Sequence, residues 1–352
     1  MADKILEIQN LTMSFKTSRG NLKAIRGVNL SLERGKTIAV VGESGSGKSV
    51  TVKAVMGMLS ANQSVNTGKI LYTEKGKETV NLLDYSKNQI MSEYSGKKIA
   101  MVFQDPMTAL NPLLTIGTQV TEGMIHHFKI SKKEAFEKGE KLLEEVGIPN
   151  PTLCMKNYPH QLSGGMRQRI VIAIAIACDP DILICDEPTT ALDVTIQAKI
   201  LELITSLQKK KNISVIYITH DLGVVAKVAD YVAVMYAGKI VEQGTVDEIY
   251  FKPRHPYTWG LLLSMPDLDT DDEKLYTIPG SPPNLLKKIN GDAFATRNKF
   301  ALNIDFEEEP PVYKLTETHS VSSWLEASEA PISNMPIELQ KRIERMEGAY
   351  VE

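Results

Sequence analysis

Eight residues near the start of the chain carry the most specific chemistry. Gly42-Glu43-Ser44-Gly45-Ser46-Gly47-Lys48-Ser49 fits G-x-x-x-x-G-K-[ST], the spacing of a phosphate-binding loop. Glycines let successive backbone N–H groups curl around an anion, Lys48 reaches terminal phosphates, and the Ser49 hydroxyl can ligate Mg²⁺. Gly42, Ser44, Gly45, Ser46, Gly47, Lys48, Ser49 and Val50 are therefore candidate nucleotide contacts. The flanks suit that role. Thr37 to Val41 is an apolar, β-branched run that reads as a buried strand, and Val50 to Leu59 reads as a helix. A loop between a strand and a helix N-terminus also draws on the helix dipole.

Further along, Ile182-Leu183-Ile184-Cys185-Asp186-Glu187 is an apolar strand pattern ending in two carboxylates. Asp186 is placed to hold a metal ion, directly or through water. Glu187, one residue on, can orient and deprotonate an attacking water. Gln104 follows a strand pattern at Lys98 to Phe103, and its amide can touch Mg²⁺ or that water. His220 follows Val215 to Thr219, at the carboxyl end of a parallel strand, where ligands of open α/β sheets sit. Taken singly these are an acidic turn, a surface glutamine and a hydrogen-bonded histidine. Together with the phosphate loop they describe hydrolysis of a nucleoside triphosphate.

A second anion cradle lies in Leu162-Ser163-Gly164-Gly165-Met166-Arg167-Gln168-Arg169. Ser163 can cap a helix, Gly164 and Gly165 leave N–H groups open, and Arg167 and Arg169 add charge. One nucleotide rarely needs two helix N-termini from one domain. The simplest arrangement is two such chains facing head to tail, each lending its second cradle to the other's nucleotide. Ala191-Leu192-Asp193 then lies on the facing surface.

These groups require an α/β scaffold. The first forty residues alternate apolar and polar and read as antiparallel strands with a turn near Ser18 to Asn21; Ile70 to Leu83 adds more strands. Residues 115 to 147 have helical spacing and a charged face, as in a helical insertion. A helix is expected from Ser163 to about Cys178 and another from Thr195 to Lys209. Strands are expected at Ile182–Cys185 and Ser214–Thr219, a hairpin over Tyr231 to Glu242, and a capping box at Thr245 to Glu248. Alternating strands and helices imply a mostly parallel, helix-covered sheet. Beyond about residue 265 the chain turns rich in Pro, Asp and Glu, including Asp267 to Glu273, and reads as a separate, loop-rich appendage.

Composition bounds the rest. The 352 residues carry a net charge of −3, so nothing marks a nucleic-acid binder. Cys154, Cys178 and Cys185 have no metal-ligand spacing and read as free thiols of a reducing compartment. No apolar stretch approaches the roughly 18 residues that cross a bilayer, and the N-terminus lacks a signal pattern. A membrane role must come through partners.

Gly42–Ser49, Gln104, Leu162–Arg169, Asp186–Glu187, Ala191–Asp193 and His220 resemble, in that order, the Walker A, Q-loop, signature, Walker B, D-loop and H-loop motifs of ABC ATPases. Phe15 looks like the aromatic residue that stacks on adenine in that family. The resemblance covers residues 1 to about 255. Gln104 to Pro112, Asp186 to Gln197, Arg254 to Thr258 and Ile278 to Pro283 narrow it to the ATPases of oligopeptide and dipeptide importers, and the signature is similar to the D-type ATPase of oligopeptide permeases.

The resemblance implies an ABC-type P-loop nucleotide-binding domain over 1–258: a RecA-like core, an antiparallel β-subdomain and a helical subdomain at about 107–178. An extension typical of oligopeptide transporters follows over 259–352. It implies ATP and Mg²⁺ as ligands, and ATP hydrolysis at an interface with a second, F-type ATPase. It also implies two integral membrane permease subunits, an extracellular peptide-binding protein and a peripheral place on the cytoplasmic face of the cell membrane. Glu187, His220, Gln104 and Lys48 would be catalytic. Ser49, Gln104 and Asp186 would face the metal. Phe15, the phosphate loop, Ser163, Gly164, Gly165, Asp193 and His220 would face nucleotide. Gln104 to Pro112 would seat a cytoplasmic helix of a membrane subunit. The same motor importing dipeptides or nickel stays open as an alternative, as does a soluble ABC ATPase. Many relatives hold an iron–sulfur cluster on four cysteines after the Pro-Pro turn. Here no Cys follows Cys185, and that ligand count excludes such a cluster.

Overall fold

The N-terminal alternation becomes a long hairpin. β1 (Lys4–Thr17) and β2 (Gly20–Glu33) pair antiparallel, with Leu6 opposite Leu32 and Phe15 opposite Leu22. β3 (Thr37–Val41) leaves this ribbon for a second sheet, and all five of its residues are buried, as an uninterrupted β-branched run requires. β4 (Gln63–Thr73) and β5 (Thr79–Asn81) return to the first sheet, which has the order β2-β1-β4-β5. The computed structural model describes residues 3–190, 192–265, 276–331 and 335–351.

β6 (Ile99–Val102), β7 (Ile182–Asp186), β8 (Ser214–Thr219) and β9 (Tyr231–Tyr236) run parallel to β3 in the order β9-β3-β8-β7-β6. Parallel pairing brings the carboxyl ends of β3, β6, β7 and β8 to one edge, each followed by one of the candidate residues. β10 (Lys239–Thr245) folds back on β9, as the hairpin pattern predicts, and Thr245 and Glu248 form the expected capping box.

The helix after the phosphate loop spans Lys48–Val55, earlier at both ends than the apolar spacing predicts. Gly47, at φ +108°, is its N-cap, so Lys48 and Ser49 are already helical; Gly57, at φ +65°, follows its end in the left-handed conformation that stops helices. The helical insertion comprises Ile116–Phe128 and Lys132–Glu145, capped by Thr115 and Ser131, and packs on Gly164–Ile176. Its interior holds Ile116, Val120, Met124, Leu142, Leu143 and Ile170. The charges of Lys132–Glu145 lie outside this interior and pair as Glu134–Lys138 (2.9 Å) and Glu145–Lys210 (2.7 Å).

The C-terminal region is not the separate appendage its composition suggests. β11 (Val312–Lys314) and β12 (Ser320–Ser322) extend the second sheet, with Val321 opposite Glu242 of β10. Helix Ile337–Val351 places Leu339 and Ile343 in the same cluster as Ile249, Tyr257, Trp259 and Leu262. Glu242, almost fully buried, accepts N–H groups of Arg254 and His255 and meets His319 Nε2 at 2.9 Å. A buried carboxylate held by two backbone N–H groups and an imidazole ties extension to core. Composition misled here because polar loops do link these strands, but short strands need only a free sheet edge. The acidic run Asp267–Glu273 lies outside the described residues.

Candidate functional site

The phosphate loop closes on itself through its glycines. Gly42 and Gly47 have φ of +147° and +108°. A Cβ on Gly42 would stand 2.1 Å from the Met235 carbonyl oxygen, and one on Gly47 2.8 Å from Ile25 and Met235 side-chain carbons. Both positions demand glycine on conformation and space. At Gly45 (φ +80°) the space is open, which leaves the loop's outer face accessible.

Lys48 is buried, and its Nζ donates to the carbonyls of Gly42 (2.7 Å) and Glu43 (3.0 Å). An ammonium has three donors, so one remains for a phosphate. Burial lowers its pKa, opposed by the nearby carboxylates of Glu187, Asp186 and Glu43. The Ser49 hydroxyl donates to Asp186 Oδ1 at 2.8 Å. Burial pushes the Asp186 carboxyl pKa up, and the Ser49 bond opposes that shift.

Glu187 turns off β7 at φ +47°, with its N–H bonded to Ile218 O at 2.9 Å. This left-handed turn presents the carboxylate at the sheet edge. Gln104 Nε2 donates to its Oε2 at 3.0 Å, Thr190 Oγ1 to the same oxygen at 3.1 Å, and His220 Nδ1 lies 3.2 Å from Oε1. Three chain segments thus meet at one carboxylate: the Gln104 loop, the Glu187–Thr190 turn and the His220 loop. Thr190 was not anticipated, although its place three residues past Glu187 is a usable signal.

A cavity of about 550 Å³ opens between these groups. Phe15, Ser44, Gly45, Gly47, Lys48, Ser49, Val50, Gln104 and Glu187 line it, together with Leu22 and Ala24 of β2 and Pro283, Asn284 and Leu285 of the extension. The volume suits a nucleotide. Gly42 and Ser46 are buried behind the loop, and Asp186 beneath Ser49. The Ser49 hydroxyl, the Asp186 carboxylate and the Gln104 amide oxygen are all hard donors, the kind Mg²⁺ takes when phosphates complete its shell. Among the described residues no group of three or more His, Cys, Asp or Glu forms a metal site on its own.

The second cradle lies elsewhere. Ser163 caps Gly164–Ile176 by accepting Met166 N–H at 3.3 Å, and Ser163 and Gly164 are exposed. A Cβ on Gly165 would stand 3.1 Å from Ile196, in the helix that Asp193 caps. Ser163, Gly164, Gly165 and Asp193 are not among the residues that line the cavity. The Arg167 guanidinium donates to the carbonyl of Pro159 (2.8 Å), just before the cradle, and that of Arg169 to the carbonyl of Val146 (2.6 Å), at the end of the helical insertion. Ala191 lies outside the described residues. Cys154, Cys178 and Cys185 are free and buried, and no helix among the described residues is long and apolar enough to cross a membrane.

Residues 25–190 match the family model described as ABC transporter, and residues 241–304 that described as oligopeptide/dipeptide transporter, C-terminal region. The oligopeptide transport ATP-binding protein OppD of Bacillus subtilis (strain 168) is 53% identical, across 99% of this chain and 96% of the relative. The dipeptide transport ATP-binding protein DppD of Lactococcus lactis subsp. cremoris (strain MG1363) is 54% identical, across 94% and 93%. A solved dimeric structure of MJ0796, a bacterial ABC transporter cassette, superposes with a TM-score of 0.60 at 26% identity, covering 68% of this chain and 98% of that one. The same cassette has been solved as a dimer in a post-hydrolysis state bound to ADP and Pi, with the same TM-score.

Proposed function

The chain belongs to the ATP-binding subunits of ABC transporters, in their oligopeptide/dipeptide branch, and from that premise we propose how its residues bind and hydrolyse ATP to drive peptide import. The observation that carries the reading is the convergence of Gln104, Thr190 and His220 on Glu187 at the edge of the cavity that Lys48 and Ser49 line.

The N–H groups of Gly45 to Ser49 and the free donor of Lys48 bind the terminal phosphates. Phe15 carries the base. Ser49, Asp186 and Gln104 would hold Mg²⁺, which would supply neutralisation of phosphate charge. Glu187 orients a water and takes its proton as the water's oxygen attacks the γ-phosphorus, while the bridging bond from that phosphorus to the β-phosphate oxygen breaks and ADP leaves. His220 and Gln104 fix the carboxylate's direction.

Ser163, Gly164, Gly165 and Asp193 complete the site of a second ATPase subunit, which returns the same service. We assign that partner to the F type. ATP then acts as an interface: closure gives its charge two helix ends, and hydrolysis removes that attraction. Two integral membrane permeases, fed by an extracellular peptide-binding protein, convert closure into transport, with this chain peripheral on the cytoplasmic face. The exposed apolar side chains Phe103, Leu113 and Leu114 support a docking seat beside Gln104 to Pro112. In this reading residues 1–258 form the nucleotide-binding domain, with its helical part at about 107–178, and 259–352 the extension.

The test is ATPase rate and peptide uptake in the reconstituted complex. Hydrolysis that depends on the partner ATPase and rises with loaded binding protein is expected. Full-speed hydrolysis by a strict monomer would overturn the reading.

A further inference from the structure

The nucleotide cavity is shared between two distant parts of the chain. Phe15 and Leu22 form its apolar lining from the N-terminal hairpin, and Pro283 and Leu285 supply apolar lining from the extension. The Pro283–Leu285 segment is anchored at both sides. The Leu285 carbonyl accepts the Lys23 N–H at 3.3 Å, beside Leu22. Arg297, buried, donates Nε to Pro279 O at 2.8 Å and grips the Glu43 carboxylate of the phosphate loop through both terminal nitrogens, at 2.7 and 2.8 Å. Arg297 also reaches Tyr236 Oη at 3.2 Å. A bidentate guanidinium–carboxylate pair holds direction as well as distance. The extension therefore meets the phosphate loop at one point and the cavity at another.

We propose that the C-terminal extension is part of the nucleotide site, with Leu285 packing against the adenosine moiety of ATP and Arg297 positioning that segment through Glu43. This deepens the ATPase reading and rests on the phosphate-loop assignment. Its chemistry is specific. Leu285 offers only apolar contact, so it recognises the nucleoside and contributes nothing to the phosphates. Nucleotide occupancy and the order of the extension are then linked, each strengthening the other.

Calorimetry on the full chain with ATP and with pyrophosphate separates the possibilities. Leu285→Ala should weaken ATP binding about five- to tenfold, the effect of removing part of one apolar contact, and leave pyrophosphate binding unchanged, with Leu285→Met restoring ATP affinity. Unchanged ATP affinity, or equal loss for both ligands, overturns the proposal. Amide exchange on the unsubstituted chain reads the same contact: ATP should protect residues 278–286 more than pyrophosphate does, and equal protection by both overturns it. If the unsubstituted chain bound neither ligand, the phosphate-loop assignment itself would fail.

Discussion

Ser49 donates its hydroxyl hydrogen to Asp186 at 2.8 Å, joining the end of the phosphate loop to the end of β7 across 137 residues. In the proposed mechanism this bond holds both oxygen donors toward the cation that would accompany the phosphates. Asp186→Asn keeps an acceptor for Ser49 but removes the charge. It should narrow the difference in ATP affinity between Mg²⁺ and EDTA by about tenfold or more, the scale seen when metal-site groups are altered. Calorimetry in the two buffers measures this. An unchanged difference would remove Asp186 from the metal site.

Glu187→Gln is isosteric and can still accept from Thr190, but it cannot take a proton from water. Turnover in the assembled complex should fall roughly 10²- to 10⁴-fold, the usual range for a general base. ATP affinity should persist, so kcat falls while binding is retained. Near-normal turnover would assign the base to another group.

The Arg297–Glu43 pair predicts a coupled loss of stability. The Arg297 side chain is 4% exposed and that of Glu43 26%. The paired carboxylate pushes the guanidinium pKa further up. Arg297→Met strands the carboxylate beside Tyr236 and should cost on the order of 2 kcal/mol, below the range for fully buried pairs because Glu43 keeps some water. Adding Glu43→Gln should cost little more. Urea unfolding of both single variants and the double variant closes the cycle; additive losses would mean the two residues act independently.

Asp292 gives the chain a pH dependence in its extension. Burial pushes its pKa up to about 6 from 3.8, against the Phe294 N–H that its carboxylate accepts and with Asp305 adding to the rise. The folded state therefore holds this proton more tightly than the unfolded chain. The associated stability is full below about pH 4 and is lost as pH rises through 6. Asp292→Asn keeps the acceptor and removes the charge, so it should stabilise the protein at pH 7 by roughly 1–3 kcal/mol and leave pH 4 stability nearly unchanged. Urea midpoints at the two pH values read the difference; an equal shift at both would point to packing instead of titration.

What the sequence determined by itself was local. Gly42 to Ser49 lies between a buried strand and a helix, and Asp186, Gln104 and His220 each end an apolar strand pattern. Such units are legible because a few consecutive residues set both the backbone path and the chemistry. Parallel pairing then collects their carboxyl ends at one edge by rule. Three features were decided only in three dimensions. Arg167 and Arg169 found the carbonyls of Pro159 and Val146 as partners. β11 and β12 joined the main sheet although their surroundings read as a polar appendage. Arg297 met Glu43, and Leu285 met the cavity, more than two hundred residues from the loop they serve. A leucine or arginine in a loop has no pattern that names its partner; only the packed chain brings an ordinary side chain within reach of a particular atom.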